Sequence, residues 1–138
     1  MVDRPAKKVG PGVSTNIRFE PWPELLQVTV TGSFELVQAQ EHFTQIVAAA
    51  EEHGLDKILV DYRKMAGPIS ILDRYNYSKY ASDLLTGRRL AHVMKFAYVG
   101  MDLAEGAGGF GVTVATNRGV RVELFNDLDA AKEWLEKG

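Results

Sequence analysis

At 138 residues the chain is long enough for one domain that buries roughly two-thirds of its unfolded surface. A formal charge of −2 leaves no surplus of Lys and Arg for an extended phosphate-binding face, and nucleic acid is not an expected partner. The absence of cysteine excludes disulfides, thiolate metal sites and a thiol nucleophile, and fits a cytoplasmic protein.

Residues 1–14 read as a loose N-terminal leader and 15–138 as the folded domain. Arg4, Lys7 and Lys8 are followed by no apolar core, so the leader is not a secretory signal. Pro5, Gly10, Pro11 and Gly12 keep it extended. No run approaches the roughly 20 apolar residues of a spanning helix, and membrane insertion is not expected.

Ile17 to Trp22 alternates as a strand, confined to a sheet margin by Pro21 and Pro23. In Leu25 to Thr31, Leu26, Val28 and Val30 face one way and Gln27, Thr29 and Thr31 the other. The short link between the two segments predicts an antiparallel hairpin. Gly32 and Ser33 then break the chain, with Ser33 the expected cap of the next helix. From Phe34 to His53, the spacing of Leu36, Ala39, Phe43, Ile46, Val47 and Ala50 makes one helical face, ended by Gly54.

Leu55 to Asp61 is nearly continuous in apolar residues and reads as a strand buried on both faces, with Asp61 at its polar end. Gly67 and Pro68 break the following loop. A helix from Ser70 to Leu85 presents a wide arc of Ile71, Tyr75, Tyr77, Tyr80, Ala81, Leu84 and Leu85. Lys95 to Gly100 is another buried strand. Met101 to Gly119 is a Gly-rich connection that becomes helical around Phe110, Val114 and Ala115. Val120 to Phe125 alternates as the last strand. Asn126 or Asp127 caps a final helix with Ala130, Ala131, Trp134 and Leu135 inward. The order ββαβαβαβα predicts an α/β fold with a mostly parallel four- to five-stranded sheet flanked by helices.

Several short motifs in this order resemble the SpoIIAA-like proteins of the STAS superfamily, the branch also described as STAS/SEC14-like. They are Val28-Thr29-Val30-Thr31-Gly32, Ile58-Leu59-Val60-Asp61 with Gly67 beyond it, and Lys95-Phe96-Ala97-Tyr98-Val99-Gly100. Ala115-Thr116-Asn117-Arg118-Gly119, Val122-Glu123-Leu124-Phe125 and Ala130-Ala131-Lys132-Glu133-Trp134-Leu135 complete the set. The resemblance covers most of the chain beyond Ile17. It implies no metal, no cofactor and no agreed enzymatic activity. Its better-studied relatives are protein-binding modules of regulatory partner switches, and more distant ones carry lipids.

The resemblance places Ser70 where phosphorylatable STAS domains carry their switch serine. Phosphate there adds about −2 charge beside backbone N–H donors. The Asp-Ser-Ser-Gly run of those switches is replaced here by Pro-Ile-Ser-Ile-Leu-Asp. The plainer reading of Ser70 and Asp73 is a capping box. Gly106-Ala107-Gly108-Gly109-Phe110-Gly111 fits G-x-G-x-x-G. It lies late in the chain and Met101 to Glu105 separates it from its strand, so a close-packed connection is the preferred reading over a nucleotide site.

His42, His53 and His92 have no ligand partner at metal-binding spacing. Asp61 could orient a ligand or bond loop amides, and Asp102 and Glu105 could pair with Arg118. Arg88, Arg89, His92 and Lys95 make a small solvated positive cluster. Tyr75, Tyr77 and Tyr80 combine apolar area with polar tips and serve either a partner or the sheet.

The candidate surface therefore comprises Asp61, Ser70, Tyr75, Tyr77, Tyr80, Gly108, Phe110 and Arg118. The expected role is a non-enzymatic binding or regulatory module with a protein partner or a homodimer. The alternatives are a carrier of a lipid-like or apolar small molecule and a nucleotide-binding enzyme.

Overall fold

The computed structural model describes residues 15–22, 24–66, 69–88, 93–100 and 121–137. Strand β1 (Thr15–Pro21) and strand β2 (Leu26–Ser33) form the expected antiparallel hairpin, with Ile17 opposite Val30 and Phe19 opposite Val28. Helix α1 (Leu36–His53) leads to strand β3 (Lys57–Ala66), and helix α2 (Ile71–Leu85) to strand β4 (Lys95–Val99). Strand β5 (Arg121–Phe125) and helix α3 (Leu128–Glu136) complete the order. The sheet runs β1-β2-β3-β4-β5, parallel from β2 onward. The fourth helix expected around Phe110 falls outside the described residues.

Alternation along the strands sorts the core into two layers. Leu26, Val28, Val30, Ile58, Val60, Tyr62, Phe96 and Tyr98 meet Phe43, Ile46, Val47 and Ala50 of α1 and Ala81 and Leu85 of α2. On the other face Leu59, Ala97 and Val99 meet Ala131 and Leu135 of α3. All of β4 is buried, as a central parallel strand covered on both faces must be.

Three boundaries differ from expectation. Ser33 does not cap α1. It is the last residue of β2, and Glu35 takes the role, its carboxylate accepting from the Gln38 N–H at 3.0 Å. Gly32-Ser33 breaks nothing, because β3 extends far enough to pair Gly32 with Met65 and Ser33 with Ala66. Asp61 is likewise not a strand end: β3 continues through it to Ala66. At the other boundaries Gly54 stops α1 in the left-handed conformation (φ 66°), Ser70 caps α2 and Asp127 caps α3.

Because β2, β3 and β4 are parallel, α1 and α2 run back against them and begin at the same edge, the carboxyl end of the strands. That edge is where ligands and partners meet such folds.

Candidate functional site

Ser70 opens α2 at this edge. Its backbone is extended, its hydroxyl accepts from the Asp73 N–H at 3.0 Å, and its side of the helix is exposed. The cap satisfies one of the donors that a helix start leaves unpaired. Ile71 and Leu72 follow and are 62% and 66% exposed. In the first turn of α1, Val37 is 65% exposed. These three aliphatic side chains lie outside both core clusters, at the beginnings of two adjacent helices.

The tyrosines point elsewhere. The Tyr77 hydroxyl lies 2.7 Å from that of Tyr98 on β4, and its ring meets Phe34, Phe43 and Tyr98 edge-on at 6.4, 6.0 and 6.3 Å. Tyr62 of β3 stands edge-on to Tyr98 at 5.7 Å. Burial pushes the Tyr62 phenol up to about 12 and raises Tyr77 and Tyr98 well above the ordinary phenol range. The Tyr80 hydroxyl lies 2.7 Å from Thr44 Oγ1 on α1. Tyr75 is half-buried. Tyr77 and Tyr80 thus bind α2 to its own neighbours, and the apolar surface left outside belongs to Ile71 and Leu72.

Asp61 lies on the α3 face of β3 and is buried. Its carboxylate accepts from Arg63 Nε at 2.9 Å, Arg63 Nη2 at 2.8 Å and the Arg63 N–H at 3.0 Å. The pairing with β2 slips here, Thr29 meeting Asp61 but Thr31 meeting Lys64. The extra residue makes a bulge, and the Asp61 side chain takes up the backbone donor that the bulge frees. Past the slip, Met65 packs on the same core as Tyr62. Burial pushes the Asp61 carboxyl up, but the Arg63 hydrogen bonds and the charges of Arg63 and Lys64 outweigh it and hold it below its ordinary value. Gly100 (φ 102°) lies against this pair: a Cβ there would stand 2.9 Å from Arg63 Cα and N. Asp61 is therefore not a strand end, and its carboxylate is taken up by the backbone amide and guanidinium of Arg63. Arg63 covers it and is itself half exposed.

The positive cluster expected from Arg88 to Lys95 divides. Arg88 pairs with Glu51 at 2.8 Å, tying the ends of α1 and α2 together. Lys95 is buried at the amino edge, donates to the Trp134 carbonyl at 2.7 Å and lies 4.2 Å from the center of the Trp134 indole. There it meets the negative end of α3. Burial first, then Arg121, Lys57 and Lys137, lowers its ammonium pKa. Burial likewise lowers His42 against an opposing effect of Glu41. Arg89, His92, Asp102, Glu105, Gly108, Phe110 and Arg118, with the whole Gly106–Gly111 motif, fall outside the described residues.

Val37, Leu72 and Arg63 were not among the candidates. Val37 and Leu72 carried a signal, since each is a large aliphatic residue off the inward stripe of its helix. Arg63 follows Asp61 at strand spacing, and the pair becomes visible once β3 is drawn past Asp61.

The parallel sheet with its antiparallel first strand and, among the described residues, two helices on one face and one on the other, defines an α/β protein of SpoIIAA-like fold. A crystal structure of an anti-sigma factor antagonist from Mycobacterium paratuberculosis superposes with a TM-score of 0.62 at 16% identity, covering 92% of this chain and 97% of that one. An uncharacterized protein of the DUF3478 family with a SpoIIAA-like fold, from Shewanella loihica PV-4, superposes with a TM-score of 0.51 at 19% identity, covering 94% of this chain and 99% of that one. No protein-family model matches the chain, and no curated protein sequence matches it. Among the described residues no helix is long and apolar enough to cross a membrane.

Proposed function

We propose that the protein is a non-enzymatic regulatory module that binds a protein partner through the first turns of α1 and α2. The observation that carries this reading is the Ile71-Leu72 pair, each more than half exposed directly after the Ser70 cap. Neighbouring exposed aliphatic residues do nothing for the chain's own core, and such patches mark contact surfaces. Val37 adds a third exposed aliphatic side chain, in the first turn of α1. Arg63, held by Asp61 beneath it and half exposed, lies on the α3 side of the sheet and is not part of this patch.

The fold shared with an anti-sigma factor antagonist supports a regulatory role carried by protein contacts. Ser70 fits the same reading. Its exposed hydroxyl adjoins Ile71, and a phosphoryl group there would place about −2 charge beside an apolar seat.

Affinity capture from the native cell extract tests the proposal, comparing wild type with the double variant Ile71→Asp, Leu72→Asp. We expect a protein that wild type retains and the variant loses, with the melting temperature shifted by no more than about 3 °C. An identical captured set for both chains would overturn the assignment of this surface. Light scattering on the same pair distinguishes a second copy of the chain from a foreign partner.

A further inference from the structure

The two halves of α2 are fastened by different means. Ala81, Ser82 and Leu85 are its buried residues, and all lie in the second half. From Ile71 through Tyr80 no residue is fully buried. The fastenings of that half include the Tyr77–Tyr98 and Tyr80–Thr44 hydroxyl contacts, at 2.7 Å each, a hydroxyl bond between Tyr77 and Tyr62, and the edge-on contacts by which the Tyr77 ring packs on the core. Upstream, Ile69 is buried but belongs to neither core cluster. Arg74 Nε donates to its carbonyl at 3.1 Å.

Between the halves, the Ser82 hydroxyl donates back to the Ser78 carbonyl at 2.7 Å and reaches the Lys79 carbonyl at 3.3 Å. A serine bonded to its own preceding turn weakens and bends a helix at that point. Hydroxyls that separate find water as a substitute partner, whereas Leu85 leaving the core finds none.

We propose that the segment from Ser70 through Tyr80 is a strap that opens from α1 and β4 as one unit, hinged at the Ser78–Ser82 turn, while Ala81–Leu85 stays docked. Opening carries Ile71 and Leu72 away from the first turn of α1. The inference rests on the packing of α2 alone and stands whether or not those residues meet a partner.

Amide hydrogen exchange of the full chain, resolved residue by residue by NMR, tests it. Corrected for intrinsic rates, amides from Arg74 to Tyr80 should share one protection level, about tenfold below that of Asp83 to Leu85. The double variant Tyr77→Phe, Tyr80→Phe keeps both rings and removes both hydroxyls. It should lower protection of the first group by roughly a further tenfold and leave the second unchanged. Equal protection along all of α2 in wild type would overturn the strap, as would a graded fall confined to the first turn, which is ordinary fraying. Should the double variant fail to fold, Tyr80→Phe alone must move the first group and spare the second; an unmoved first group overturns the proposal.

Discussion

On the α1/α2 face the sheet meets rings: Phe43 against Phe96 at 5.4 Å, Tyr62 and Tyr77 against Tyr98, with the hydroxyls turned toward one another. On the α3 face the described residues form a smaller buried layer of Leu59, Ala97, Val99, Ala131 and Leu135, bordered by the Phe125 and Trp134 rings 5.9 Å apart, with a buried charge at each edge, Lys95 below and Asp61 above. Among the described residues one side of the sheet is therefore closed by a ring-rich core and the other by a smaller core between charged groups. The first face should respond to cavities and alkali, the second to the loss of single charges.

Phe43→Ala gives the largest expected effect. The ring is 2% exposed and touches both Phe96 and Tyr77, so its removal should cost about 3–5 kcal/mol and destabilise the whole domain. Leu135→Ala on the α3 face should cost about 2–4 kcal/mol. There the loss should appear first as faster amide exchange in α3, with α1 still protected. Denaturant melts and exchange on both variants check the contrast, and two indistinguishable exchange patterns would contradict it.

Alkali separates the faces next. Tyr62 is pushed up to about 12 by burial, so the folded chain holds this proton after an unfolded tyrosine, with its pKa of about 10, has lost it. The associated stability is complete below pH about 10 and is lost as pH rises toward the folded value, at about 1.4 kcal/mol per unit for each such group. Tyr62→Phe should flatten the decline between pH 10 and about 12 by that amount. Stability measured by denaturant at stepped pH decides the matter, and an unchanged slope would remove Tyr62 from the account.

How much of this was legible depended on the distance to each residue's partner. The α1 stripe from Leu36 to Ala50 and its stop at Gly54 are local, and the structure has them almost where spacing put them. The continuation of β3 through Asp61-Tyr62-Arg63-Lys64 is not local. A charged run looks like a loop until Arg63 is seen to satisfy a buried Asp61. The tyrosines of α2 were ambiguous for the same reason, because Tyr98 and Thr44, which receive their hydroxyls, lie on other elements. What the sequence could show of the site was its edge and its Ser70 cap. Which aliphatic side chains remain outside depends on how far the tyrosines turn inward.

Asp61 sharpens the comparison on the charged side. Its folded pKa is depressed, so its contribution is present above the unfolded value of about 3.9 and is lost as pH falls through the folded one. Asp61→Asn leaves Arg63 without its charged partner and should cost about 1–3 kcal/mol at neutral pH. The variant should also lose less stability than wild type on acidification below pH about 4. A variant whose acid profile overlays that of wild type would mean the carboxylate is not held by Arg63.

The smallest effect belongs to the ion pair that closes the ring-lined face. Arg88 and Glu51 meet at 2.8 Å with both side chains about one-third exposed, so water competes with the pair and salt screens it. Arg88→Ala should cost no more than about 0.5 kcal/mol, and high salt should erase the difference from wild type. Lys95 on the opposite face is buried against Trp134, where mobile ions screen poorly, so the same salt step should leave its bond to the Trp134 carbonyl unaffected. Chemical denaturation of Arg88→Ala and wild type in urea, with and without added sodium chloride, measures the first. Exchange protection at the C-terminal end of α3 under the same two salt conditions measures the second. Loss of protection in α3 with salt would show that the two faces are held by charges of the same kind, and the contrast between them would fall.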